Sequence, residues 1–214
     1  MLKSHLSLVE TEIASSKSSM SDKELCIIHA ASLVFLEQGF NNANMAQIAK
    51  KAQVSKQTLY TNFGSKENLF DQVITYIFRD IKNTFEPPKK DCTPQEEFTY
   101  FIVNLLRPVF SKEGICLHRL AIAESYNNPK LSKIYLSRIE RLISKISARI
   151  SHLESIGLIK VNDNSQAAQD LIYSCKGITH TKLLCGYIDS VSADEIKYIA
   201  KKSVEKFFEI HKTS

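Results

Sequence analysis

At four places along the chain, a short polar signature precedes a run whose apolar positions recur at helical spacing. Ser21-Asp-Lys-Glu24 stands before Leu25, Ile28, Ala31, Phe35 and Leu36. Thr93-Pro-Gln-Glu96, Asp163-Asn-Ser-Gln166 and Ser192-Ala-Asp-Glu195 open similar runs. A hydroxyl or carboxylate at the N-cap, with Glu or Gln three residues later, lets side chains and free amides satisfy one another. Each signature therefore predicts a helix start, and strand signals are nearly absent. The pattern predicts helices over 22–38, 45–52, 55–61, 66–85, 115–126, 130–156, 164–185 and 193–211. Another begins at 94 and is bent or broken at Pro108. Gly39 should stop the first helix, and a Pro/Lys loop should occupy 86–92. The fold class is all-α.

Composition supports this reading. Apolar residues make up 43% of 214, enough for a real core, while Gly and Pro number only 6 and 5. The net charge is +5, yet residues 1–70 hold seven Lys/Arg against six Asp/Glu. A nucleic-acid partner therefore cannot be argued from bulk charge. It rests on the local run 44–66, which holds Lys50, Lys51, Lys56 and Lys66 and no acid. The five scattered cysteines predict free, mostly buried thiols in a reducing cytoplasm, with no disulfide framework. No apolar run suits a membrane span, and no secretory leader is seen. Residues 1–20 are polar and Ser-rich, and are expected to form a flexible arm.

Residues 21–70 organise as three helices. Met45, Ile48 and Ala49 share a face of the second, and Gln53, Val54 and Ser55 make a turn. Leu59 and Phe63 of the third face a small core with Phe40, Leu69 and Phe70. The opposite face of that short helix carries Lys56, Gln57, Thr58, Tyr60, Thr61 and Asn62. These groups can donate to or accept from base edges and place no carboxylate beside phosphate. Asn44, Ser55 and Ser65 suit N-caps, whose free amides can grip phosphates. A tight turn favours glycine where Gln53 stands. A left-handed Gln53 costs on the order of 1 kcal/mol.

The run from Ala30 to Phe70 resembles the N-terminal DNA-binding domain of the TetR family of bacterial transcriptional regulators. The matching residues are Ala31, Phe35, Gly39-Phe40, Ile48-Ala49, Ala52, Val54-Ser55, Thr58-Leu59-Tyr60, Phe63, Ser65-Lys66-Glu67 and Leu69. The resemblance implies a dimeric all-α protein: a helix-turn-helix reader followed by a divergent helical bundle for ligand binding and dimerisation. By position it assigns base or nearby phosphate contacts to Lys56, Gln57, Thr58, Thr61 and Asn62. It assigns phosphate anchoring to Asn44, Ser55, Tyr60 and Lys66. Two residues depart from the pattern: Gln53 replaces the usual glycine, and Asn44 a usual Thr or Ser. The second unit, 71–214, loosely resembles the AefR-like subgroup at Arg119, Glu124, Pro129 and Gly157. That similarity names no ligand.

Candidate pocket residues between the long helices are Phe78, Phe101, Asn104, Leu105, His118, Glu124, Tyr126, Tyr135 and Tyr173, with Phe85 as a further aromatic. Helical aromatics are more often core filler than ligand contacts. Arg138, Arg141, Lys145 and Arg149 form one stripe, read as a solvated face. In the resemblance, the last two helices pair with their symmetry mates.

No metal, cofactor or enzyme motif is present in the sequence. The expected function is a ligand-responsive regulator, a repressor in the first instance. It would bind a near-palindromic double-stranded DNA operator as a homodimer and be released by a small molecule that shifts helix 66–85. The alternatives are a sequence-tolerant architectural DNA-binding protein without an effector, and a helical bundle with a vestigial reader.

Overall fold

The computed structural model describes residues 20–78 and 92–213. Their helices are α1 (Asp22–Asn42), α2 (Met45–Lys51), α3 (Lys56–Phe63), α4 (Lys66–Ile77), α5 (Pro94–Phe110), α6 (Lys112–Ser125), α7 (Pro129–Ser155), α8 (Asn164–Leu184) and α9 (Ala193–His211). No strand occurs among the described residues, only an isolated bridge between Ile159 and Lys212. The arm before Met20, the continuation of the fourth helix to 85 with Phe85, and the Pro/Lys loop before Cys92 lie outside the described residues.

The helix starts follow from their caps. Ser21, Asn44 and Thr93 form complete capping boxes with Glu24, Gln47 and Glu96. Pro94 occupies the first turn of α5, where its missing N–H costs nothing. Asp163 caps only one way, because Gln166 turns its amide to Asp170 at 2.9 Å. The first helix leaves helical geometry at Gly39 (φ 80°, ψ 165°), and a short turn carries α1 on to Asn42.

Pro108 does not break α5. The helix runs two residues further and ends at Phe110, close enough to its C-terminus for the ring to be accommodated. Ser111 then caps α6 directly, three residues earlier than the sequence predicts. This corner depends on Gly114: a Cβ there would lie 1.9 Å from the Pro108 carbonyl oxygen.

Two cores result. In the head, Phe35, Phe40 and Phe70 pack as three mutually touching rings, 5.3–5.5 Å apart. Ile28, Ile48, Leu59, Phe63 and Leu69 close around them. This core also takes Leu117 and Leu120 from α6 and Leu131 from α7, so head and body share apolar contacts. The body core is built on Phe98, Ile102, Leu105, Ile146, Ile150, Leu171 and Phe207, where α9 packs along α5 and α7 along α8.

Two expectations about surface residues are corrected. Arg138 pairs with Asp71 of α4, and Arg149 with Glu97 of α5 at 2.9 Å. These two ends of the basic stripe are partly buried inter-helix ties rather than a solvated face. The cysteines are free but not mostly buried: Cys26 and Cys185 are exposed, and only Cys175 is buried. Burial pushes the Cys175 thiol up to about 11, so it is protonated and inert at neutral pH.

Candidate nucleic-acid interface and ligand site

The reader is built from the α2–α3 turn. Gln53 adopts a left-handed conformation (φ 56°) and is the one non-glycine residue among the described residues with positive φ. Its N–H donates to Lys50 O at 3.2 Å and the Val54 N–H to Ala49 O at 3.0 Å. These two bonds are the Schellman pattern, which closes the end of α2. Val54 packs against the head core, and Ser55 starts α3 at once.

Leu59 is fully buried and Phe63 nearly so, leaving Lys56, Gln57, Tyr60, Thr61 and Asn62 exposed. The helical repeat puts Gln57 and Thr61 farthest from the core, with Tyr60 (51% exposed) on one flank. Ser55 Oγ caps Thr58 N at 3.0 Å and lies 2.9 Å from Thr58 Oγ1. These two hydroxyls therefore hold each other as well as facing outward. Asn44 caps α2 through its side-chain oxygen. Asn62 lies on the other flank, where it lines a surface cleft of about 370 Å³ with Glu24 and Asp71. Acids on that side make it a poor neighbour for phosphate.

Lys66 requires a correction. Its ammonium donates to the carbonyls of Phe40 (2.8 Å), Ala43 (2.9 Å) and Asn41 (3.4 Å) and stands 4.4 Å from the centre of the Phe40 ring. Three donors meet three carbonyls at the negative end of α1, so this lysine clamps α1 to α4 rather than reaching out to phosphate. A cation in the first turn of its own helix, the unfavourable end of that dipole, was the sequence signal for such a use. Lys51 is likewise engaged, with Glu37 at 3.0 Å.

The structure does not bring the nine predicted pocket residues together. Leu105 and Asn104 are buried within α5, Phe101 stacks on Phe98, and Phe78 caps α4 against the head core. Tyr126 is 93% exposed. Glu124 accepts from both the backbone and the side-chain amide of Asn41, tying α6 to the end of α1.

Only His118, Tyr135 and Tyr173 converge, and they do so with Lys176, His180 and Phe110, which sequence reasoning missed. The His118 ring lies 5.3 Å from Tyr135 and 5.0 Å from His180, and Phe110 meets His180 edge-on at 5.8 Å. Lys176 stands 5.9 Å from the Tyr173 ring. Burial, reinforced by the Lys176 charge, holds His118 down at about 4 and His180 at about 3, so both are neutral at pH 7. Burial also lowers Lys176 and raises Tyr135 to about 12. The i, i+4 pair Lys176/His180 was visible in the sequence, but nothing there showed that α6 would deliver a second histidine beside it.

The family model for bacterial regulatory proteins of the TetR family matches residues 27–73, and that for the AefR-like transcriptional repressor C-terminal domain matches residues 96–212. The chain belongs to the TetR family. It is a DNA-binding transcriptional regulator, not an enzyme. Similar curated proteins include the HTH-type transcriptional regulator YhgD of Bacillus subtilis, 28% identical over 66% of this chain and 74% of that protein. The regulator UidR of Escherichia coli is 25% identical over 68% of this chain and 74% of its own. A TetR-family regulator from Mesorhizobium loti superposes with a TM-score of 0.76 at 25% identity, covering 92% of this chain and all of that one. A flavonoid-responsive regulator, FrrA, superposes with a TM-score of 0.72 at 25% identity, covering 89% and 97%. The helix-turn-helix and the AefR-like region inferred from sequence are thus both shown, and no helix of the described residues is long and apolar enough to cross a membrane.

Proposed function

We propose that this TetR-family protein binds a near-palindromic operator as a homodimer and represses transcription until a small molecule in the body releases it. The observation that carries the reading is the two-sided α3: Leu59 and Phe63 are buried, while Gln57, Tyr60 and Thr61 stand free. Gln57 and Thr61 would read base edges. Lys56, Tyr60 and the amides at the starts of α2, α3 and α4 would hold phosphates. Two heads related by a two-fold axis would enter successive major grooves about 34–36 Å apart. Exposed Ile178 on α8 and Tyr198 on α9, 67% and 63% accessible, support those helices as the dimer surface.

The described part of α4 is tied to the body by Asp71–Arg138, but α6 reaches further into both units. Its Leu117 and Leu120 enter the head core and its Glu124 holds Asn41, while His118 and Arg119 face the body. A ligand would therefore act by favouring one position of α6 and α4 over another. A salt titration on operator and scrambled duplexes tests the DNA side. The regulator reading requires a specificity ratio of at least about 10³. A ratio near one, with the same salt slope, would instead indicate an architectural protein.

A further inference from the structure

We propose that His118, Tyr135, Tyr173, Lys176 and His180 form a recognition face for a small organic acid, a single carboxylate on a flat apolar body. The proposal deepens the effector reading and rests on it only for the regulatory consequence.

His180 is 4% exposed, and no hydrogen bond joins its ring nitrogens, Lys176 Nζ or the Tyr135 hydroxyl to another described residue, while none of these atoms is sealed from solvent. A half-buried ammonium without a counter-ion is costly, and Lys176 has no ion pair among the described residues. The groups facing this cluster are His118 from α6, Tyr135 from α7, Phe110 from α5, and Tyr173, Lys176 and His180 from α8. No carboxylate is among the causes that shift His118, Tyr135, Lys176 or His180. Arg119, the neighbouring cation of α6, is turned away to the carbonyls of Leu183 and Leu184.

A carboxylate is the complement this set lacks. Lys176 would supply the charge, and the imidazole N–H groups and the Tyr135 hydroxyl would supply directed donors in a poorly hydrated setting. The rings of Phe110, Tyr135 and Tyr173 would receive an apolar body. Two imidazoles 5.0 Å apart could also suggest a metal, but the adjacent ammonium repels a cation. Among the described residues there is no group of three His, Cys, Asp or Glu side chains that could hold one. The backbone of α8 leaves helical geometry at Gly177 (φ 42°, ψ −151°), between Lys176 and His180. An occupant bridging those two side chains would therefore span the break.

Titration calorimetry of the full chain with 2-naphthoate and with 2-naphthamide, which has the same shape but no charge, tests the proposal. The acid should bind at least tenfold more tightly than the amide. Lys176→Met should abolish that preference while Lys176→Arg retains it, with thermal melts confirming that both variants are folded. Equal affinities, no binding of either compound, or a preference that survives in folded K176M would each overturn the proposal. Adding operator duplex separates it from the reading it rests on. Lys176-dependent acid binding that leaves the duplex bound would keep the site and sink the effector mechanism.

Discussion

Gln53 and Lys66 are single residues whose backbone or charge is used in an unusual way, and each yields a test. Gln53 holds a left-handed turn that glycine would occupy without strain. Gln53→Gly should raise the stability of the chain by up to about 1 kcal/mol, because the relieved strain slightly exceeds the added freedom of the unfolded chain. Thermal melting checks this, and a drop in Tm would contradict the Schellman geometry. Lys66→Met should destabilise the head by roughly 1 kcal/mol by uncapping α1, yet leave the salt slope of DNA binding unchanged. A slope reduced by about one would restore Lys66 as a phosphate contact. His118 and His180 make stability depend on pH. Their folded pKa values lie at about 4 and about 3, below the ordinary 6.5, so the unfolded chain binds protons that the folded one refuses. Stability present above pH 6.5 should therefore fall as pH drops from there toward 4. Urea midpoints at pH 7.5 and 5.0 measure the loss, and His180→Phe should make it smaller.

At the scale of elements, α5 and α6 turn a corner so tight that one hydrogen atom decides it. Gly114→Ala would force a methyl group into the Pro108 carbonyl. The expected cost is about 1–3 kcal/mol of overpacking, read from a denaturation midpoint. The sequence placed Pro108 near a boundary but put the boundary at the wrong residue, since proline marks only where a helix cannot continue donating. What fixed the true end was Ser111, whose hydroxyl accepts from Gly114 N and donates to Pro108 O, joining the two helices. The remaining helices were legible because their caps and apolar periods are local properties. The α2–α3 turn was legible down to the strained residue for the same reason.

Across the whole molecule, the boundary near residue 70 separates two stretches of sequence but not two independent cores. Leu117, Leu120 and Leu131 lie among the head residues. Leu120→Ala should cost about 2–4 kcal/mol. The effect should spread to the head, seen as faster hydrogen exchange in the amides of α1. Exchange faster only within α6 would show that the units are uncoupled. The long-range ties Glu124–Asn41 and Arg138–Asp71 join residues 83 and 67 positions apart, so no local pattern could announce them.

What the sequence determined by itself is whatever follows from neighbours within a turn or two: the helix starts marked by capping signatures, the reader's inward pair Leu59 and Phe63, and the exposed polar face of α3 opposite them. Tertiary structure alone decided which polar groups find partners. It spread the predicted pocket over both cores and the solvent, took Lys66 for the end of α1, and brought His118 of α6 beside Lys176 and His180 of α8. The physical reason is that a helical period fixes which face a residue occupies, whereas its partner is set by how distant helices cross, and that depends on the packing of the entire chain.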